Sequence, residues 1–198
     1  HLEQTGELEN TIVFYTADHG DFAGEHGLFH KNLGLYESIH RVPFVLSWPG
    51  GPRGVKADGL VESVDWYPTV CALCDVPAPG EDALDGESVL PVARGENSGK
   101  EAVYCEWEWP HITGDGRPLK LSAVRTARYR LTYYHRDIGG ELYDRKKDPG
   151  EIHNLWDDPR FAAVRRELTE QLLDFTLRYQ VETGNDSDRR LSAETRRT

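Results

Sequence analysis

An unbroken apolar run, Ile12-Val13-Phe14-Tyr15, leads directly into Thr16-Ala17-Asp18-His19-Gly20, and no other stretch of the chain constrains its fold as strongly. A run this short and this uniformly apolar reads as a buried strand of a parallel sheet. In open α/β sheets ligands collect beyond the carboxyl ends of such strands. Asp18 and His19 stand at that end, and Gly20 comes next, where the backbone turns. A carboxylate oxygen and a neutral imidazole nitrogen can serve one divalent cation, or one each of two neighbouring cations. The alternative is that Asp18 opens an Asx-type turn and His19 only fills a loop.

The segment continues with Glu25-His26-Gly27-Leu28-Phe29-His30-Lys31, then Tyr36-Glu37, Arg41-Val42-Pro43 and a second apolar run, Phe44 to Trp48, closed by Pro49-Gly50. The order Asp-His-Gly, Gly-Glu-His-Gly-Leu, Lys, Tyr-Glu, Arg-Val-Pro and Trp-Pro-Gly resembles the carboxyl-terminal half of a type I sulfatase, in the alkaline-phosphatase-like superfamily. The likeness extends through Ser63 to Thr69, Leu84 to Ser88, Val124-Arg125-Thr126, Tyr129-Arg130-Leu131 and Glu141 to Asp144, and ends in Asp148-Pro149-Gly150-Glu151-Ile152-His153-Asn154-Leu155.

The resemblance implies an α/β fold: the carboxyl-terminal part of an alkaline-phosphatase-like sulfatase, followed by a small antiparallel sheet packed with a C-terminal helix. It implies a sulfuric ester hydrolase in which Asp18 and His19 are metal ligands and Lys31 is catalytic, its ammonium offsetting charge on the sulfate as the S–O bond breaks. The substrate expected is a sulfated small molecule or saccharide. His30, which abuts Lys31, and His111, in Trp107-Glu108-Trp109-Pro110-His111, are candidate substrate contacts. The aromatic segment around His111 reads as a loop over a cleft or as a hydrophobic plug. His26 is a further candidate for the cleft, whereas Arg41 and Glu37 read as a structural ion pair.

The cation implied is Ca²⁺ first, with Mn²⁺ or Zn²⁺ as alternatives, because Ca²⁺ prefers oxygen ligands and His19 stands where many sulfatases carry Asn. The formylglycine nucleophile of such enzymes arises from Cys or Ser in a Cys/Ser-x-Pro-x-Arg segment. None of the three cysteines, Cys71, Cys74 and Cys105, begins one. The expectation is therefore a carboxyl-terminal fragment, inactive alone, with formylglycine in an amino-terminal part. Phosphodiester or phosphonate monoester hydrolysis, and a non-catalytic role, are the alternatives.

With a net charge of −11 and dispersed basic residues, the chain is not expected to bind nucleic acid. No apolar run approaches the roughly 20 residues that span a bilayer. An odd cysteine count argues against a disulfide scaffold, and Cys71 and Cys74 read as buried, inert thiols. Localisation and oligomeric state stay open.

Residues 1–99 carry α/β character, including a helix from about Trp66 to Cys74 that Ser63 or Asp65 caps, with Pro68 confined to its first turn. In residues 100–183, Ala102 to Trp107, Leu121 to Thr126, Tyr129 to Tyr134 and Gly140 to Asp144 read as an antiparallel meander. Phe161, Val164, Leu168, Leu172, Phe175 and Tyr179 then recur at helical spacing behind Asp158-Pro159. Residues 184–198 read as a polar tail, disordered or an interface arm.

Overall fold

The computed structural model describes residues 1–31, 35–78, 84–109, 118–136 and 138–194, the side chains of Trp109 and of residues 179–194 excepted. The chain divides into two compact units, His1–Val103 and Tyr104–Thr198.

In the first unit a short helix, α1 (Leu2–Thr5), precedes β1 (Val13–Thr16). β1 pairs with β2 (Phe44–Ser47) in a two-stranded sheet. The pairing is antiparallel, with Val13 opposite Ser47 and Thr16 opposite Phe44, which corrects the expectation of a parallel strand. Parallel pairing within one sheet needs a crossover, usually a full helix. Here the intervening α2 (Glu37–His40) spans only four residues, and the chain doubles back. Nor is β1 buried. Its inner face sets Phe14 edge-on to Phe44 at 5.0 Å and beside Trp66 at 5.7 Å. Its outer face exposes Tyr15 at 63% and, across the pair, Val45 at 57%.

α3 (Trp66–Leu73) succeeds a 3-10 turn, Ser63–Asp65. The expected cap is replaced by a reciprocal box in which the Glu62 N–H donates to Asp65 Oδ2 at 2.7 Å. Asp65 is fully buried, and its Oδ1 accepts from the Glu87 N–H at 3.0 Å and from Lys100 Nζ at 2.7 Å. Lys100 also donates to Glu62 at 2.6 Å. Burial works to lower the Lys100 ammonium, but the bonds and charges of Asp65 and Glu62 outweigh it and hold the group above its ordinary value. Gly86 lets residues 84–89 lie against this turn, since a Cβ there would overlap the Val64 carbonyl. Of the two thiols expected to be inert, Cys71 is buried, but Cys74, just past the end of α3, is exposed. α4 (Leu90–Ala93) closes the segment with Leu90 buried.

The second unit holds a four-stranded sheet in the order β3 (Ala102–Trp109), β4 (Leu119–Thr126), β5 (Tyr129–Tyr134), β6 (Gly139–Asp144). The β4–β5 and β5–β6 pairs are antiparallel, Val124 facing Leu131 and Leu131 facing Leu142. β3 runs through Trp109, so Trp107 and Glu108 are strand residues and not a loop. α5 (Ala162–Glu194) packs on β4 and β5. Val124, Leu131 and Leu142 are fully buried, Leu168 and Leu172 nearly so, and Tyr104 stacks on Phe175 at 4.1 Å. α5 continues past Gly184 to Glu194, where a polar tail was expected.

The Asp148 to Leu155 segment is structural. Asp148 Oδ2 accepts from the Ile152 and His153 N–H groups at 2.9 and 2.8 Å. Glu151, buried at φ +54, meets Arg130 Nε at 2.7 Å and Arg145 Nε at 3.3 Å. Asn154 Oδ1 accepts from Leu142 N at 3.0 Å, and its Nδ2 donates to the Gly140 carbonyl at 3.1 Å, so the chain is stitched along the edge of β6.

Candidate functional site

β1 delivers Asp18 and His19 just beyond its last residue, and Gly20 pins the backbone behind them against α2. The Gly20 N–H donates to the Ile39 carbonyl of α2 at 2.8 Å, and a Cβ at Gly20 would overlap the Ser38 carbonyl. Only glycine permits this approach. Phe22 is then buried at 1% exposure, with Tyr36 5.7 Å from its ring.

From Phe22 the loop closes on itself. The Phe22 N–H donates to the His30 carbonyl at 3.0 Å, and Gly24 donates to Leu28 at 2.9 Å. Ala23, His26 and His30 all take positive φ, +48, +53 and +65, an uncommon conformation for non-glycine residues that the loop's own bonds hold in place. The consequence is positional: Lys31 returns to His19.

Lys31 Nζ lies 2.8 Å from His19 Nε2, and Asp18 Oδ2 lies 3.5 Å from the same nitrogen. His19 Nδ1 sits 2.7 Å from the Gly20 carbonyl, an acceptor, so Nδ1 carries the proton and the Nε2 lone pair is free to accept. The His19 N–H donates to Asp18 Oδ1 at 3.0 Å, and this bond is the main cause holding the Asp18 carboxyl below the usual carboxylate range. Asp18 is therefore an anion at neutral pH, with a side chain 87% exposed.

The donor set fits one cation. An oxygen and a nitrogen 3.5 Å apart can both reach an ion at about 2.0–2.4 Å with a separation angle near that of adjacent ligands. Two ligands are too few to hold it tightly. Among the described residues no group of three His, Cys, Asp or Glu side chains is placed to hold a metal. A cation and the Lys31 ammonium cannot share the Nε2 lone pair, so a bound ion would turn Lys31 away from His19.

The other sequence candidates separate from this group. Among the described residues the His30 ring joins none of these contacts, its carbonyl instead tying the loop to Phe22. His26 lies tilted against Tyr36 at 4.2 Å and edge-on to Phe22 at 6.5 Å, a packing role. Arg41 and Glu37 pair at 3.9 Å, as expected of a structural pair. His111 lies outside the described residues. The sequence reading missed the Phe22–His26–Tyr36 prop, although three rings flanking a glycine-rich loop are its signal.

The family described as N-sulphoglucosamine sulphohydrolase, C-terminal, matches residues 24–178. The Delta 4,5-hexuronate-2-O-sulfatase of Bacteroides thetaiotaomicron is 38% identical over 184 residues, covering 89% of this chain and 37% of the relative. A solved structure in complex with its substrate D-glucosamine-2-N,6-O-disulfate shares 30% identity at TM-score 0.70, over 90% of this chain and 36% of that one. The phosphonate monoester hydrolase of Agrobacterium radiobacter shares 26% at TM-score 0.75, over 90% and 37%. The chain thus spans little more than a third of the length of these proteins. With most of its length matched to one family and its antiparallel sheet and helix matched in solved sulfatase structures, the chain belongs to the sulfatase family of the alkaline-phosphatase-like superfamily, as a carboxyl-terminal part.

Proposed function

We propose that the chain is the carboxyl-terminal part of a sulfuric ester hydrolase acting on a sulfated saccharide. The observation that carries this reading is the convergence of Asp18, His19 and Lys31 at the end of β1. Asp18 Oδ2 and His19 Nε2 are the atoms to hold a divalent cation, Ca²⁺ first with Mn²⁺ or Zn²⁺ as alternatives. When bound it supplies Lewis-acid polarisation of sulfate oxygens. Lys31 donates to those oxygens, its contribution greatest as negative charge moves onto the leaving group. Gly20 and the Phe22 prop set the distance between these groups. The formylglycine nucleophile belongs to the amino-terminal part that the resemblance implies, so the 198-residue chain has no turnover of its own.

The experiment is kinetic and compositional, on the full-length enzyme. Lys31→Ala lowers kcat roughly 10²-fold while metal content stays near normal. Asp18→Asn loses the metal, and elemental analysis identifies which one it was. Wild-type kcat in the Lys31 variant would make that lysine structural. The likeness to a phosphonate monoester hydrolase favours one second reading, hydrolysis of phosphonate monoesters, and a substrate panel with higher kcat/KM on those than on sulfate esters would establish it. Turnover by the 198-residue chain alone would contradict the placement of the nucleophile elsewhere.

A further inference from the structure

The loop that returns Lys31 to His19 carries an aromatic ring that the metal and sulfate chemistry leaves unused. Among the described residues from 17 to 40, Phe29 is the one large apolar side chain left exposed, at 69%. Its apolar neighbours are covered: Phe22, Leu35 and Ile39 are buried, and Leu28 and Tyr36 half-buried. Single exposed apolar residues are ordinary on a protein surface, so exposure alone assigns nothing. What sets Phe29 apart is how its backbone is held and what stands beside it.

Backbone bonds bracket the residue on both sides. The Leu28 N–H donates to the Glu25 carbonyl at 2.9 Å, the Leu28 carbonyl accepts from Gly24 at 2.9 Å, and the His30 carbonyl accepts from Phe22 at 3.0 Å. Leu28 is extended, at φ −108 and ψ 155, and along extended chain successive side chains leave on opposite sides. Leu28 therefore turns inward and Phe29 outward. His30, at φ +65, ends the extended stretch and hands the chain to Lys31. The ring thus stands on a backbone already ordered, and with only two side-chain torsions it has little freedom to lose on binding.

Its neighbour is the candidate site. Cα atoms two residues apart lie within about 7 Å of each other, and Lys31 Nζ is 2.8 Å from His19 Nε2. Asp18, His19 and Lys31 offer a substrate only charge and hydrogen bonds. Such groups grip a sulfate without sensing what the sulfate is attached to. Ligand sites combine a few polar groups with apolar and aromatic surface, and the C–H face of a pyranose or the face of an aryl ring is what an exposed phenyl ring receives. We infer that Phe29 is a specificity-determining residue, the apolar platform for the ring that bears the ester while Lys31 holds the ester's oxygens. That the ester is a sulfate of a saccharide rests on the functional reading above. The platform itself rests on the exposure and the bracketed backbone of Phe29.

The test is kinetic and uses the full-length enzyme, with sulfated hexosamines, sulfated uronates and 4-nitrophenyl sulfate as substrates and inorganic sulfate as the ringless competitor. For the ester turned over best, Phe29→Ala should raise KM about five- to tenfold, the range of one aromatic contact, with a smaller change in kcat. Phe29→Trp should keep the wild-type KM. Phe29→Leu, which retains apolar bulk without the flat face, should not. The inhibition constant of inorganic sulfate should be the same in every variant, since sulfate alone meets only the polar groups. An unchanged KM in Phe29→Ala would overturn the proposal. So would a sulfate inhibition constant that rises in step with KM, by tracing the effect to Lys31 or the metal. A lowered thermal midpoint in Phe29→Ala that Phe29→Leu reverses together with KM would also do so, by making Phe29 a packing residue against another part of the enzyme. A wild-type enzyme that turns over 4-nitrophenyl phenylphosphonate and none of the sulfates would overturn the functional reading. The same KM shift in Phe29→Ala on that ester would then leave the platform standing, and its absence would overturn both.

Discussion

The two sheets of this molecule solve the same problem differently. In the four-stranded sheet Leu131 and Leu142 are completely buried beneath a helix whose Leu168 and Leu172 are at 3% and 5% exposure. In the two-stranded sheet the outward Tyr15 and Val45 stand more than half exposed, although their segment is the more uniformly apolar in sequence. A helix packed across strands closes a core within a few dozen residues, while the two-stranded ribbon has one face that no described residue covers. The first unit is ordered instead by a polar dock, Asp65 with Lys100 and Glu62, and by the glycine contact under the candidate site.

The contrast is tested most severely at Leu131. Leu131→Ala leaves a cavity between the strands, and chemical denaturation should show a loss of about 3–4 kcal/mol for the second unit. A loss below about 1 kcal/mol would mean that this sheet is no better closed than the ribbon. The next effect belongs to the first unit. Asp65→Asn removes the buried charge facing Lys100 and replaces one of the two oxygens that accept the Glu62 and Glu87 N–H groups by a donor, for about 2–3 kcal/mol, since a charge buried without its partner costs more than the pair is worth. Asp65→Asn paired with Lys100→Met should recover part of that loss. Full additivity of the two would show that the dock does not order the unit.

The comparison also explains what could be read in advance. The meander and the amphipathic helix were legible because their signals are local: short segments rich in Val, Tyr, Leu and Thr between polar breaks, and a three-and-four spacing from Phe161 to Tyr179. The partner and direction of β1 were not, because an apolar run states only that a strand seeks cover and never from which side. Asp65 was visible as a capping residue, but its bond to Lys100 spans 35 residues and has no local signature. At the candidate site, Asp18, His19 and Lys31 were legible as a motif. The orientation of the His19 ring, whose Nδ1 meets the Gly20 carbonyl and whose Nε2 meets Lys31, and the strained turns that bring Lys31 back required coordinates.

Acid tests a smaller difference. The folded Asp144 carboxyl is held below its unfolded value, first by the Arg128 hydrogen bond, so its contribution to stability is present above the unfolded pKa and is lost as pH falls through the folded one. His135 adds a second loss of the same sign at higher pH. Burial, its largest cause, lowers the imidazole, so its contribution is full above the unfolded value, about 6.5, and falls away below it. The second unit should therefore weaken in two steps on acidification, below about 6.5 and again below about 4. Arg128→Gln should flatten the lower step and His135→Gln the upper one, measured as denaturation midpoint against pH. An unchanged profile in either variant would remove that group from the account.

The smallest effect expected is at Val45, and it carries the comparison to its limit. Val45 lies 57% exposed opposite Tyr15 on the outer face of the ribbon, and threonine keeps its shape and β-branching while replacing one methyl with a hydroxyl. In a closed core that exchange buries a hydroxyl and is costly. On an open face it should change stability by less than about 0.5 kcal/mol, because the hydroxyl stays in water. Val124→Thr, at a fully buried position of the four-stranded sheet, supplies the matched control and should cost about 1–3 kcal/mol. If denaturation of the 198-residue chain showed equal losses for the two variants, the ribbon's outer face would have to be covered in solution, by a second copy or by another part of the chain. The concentration dependence of the midpoint would separate those two cases.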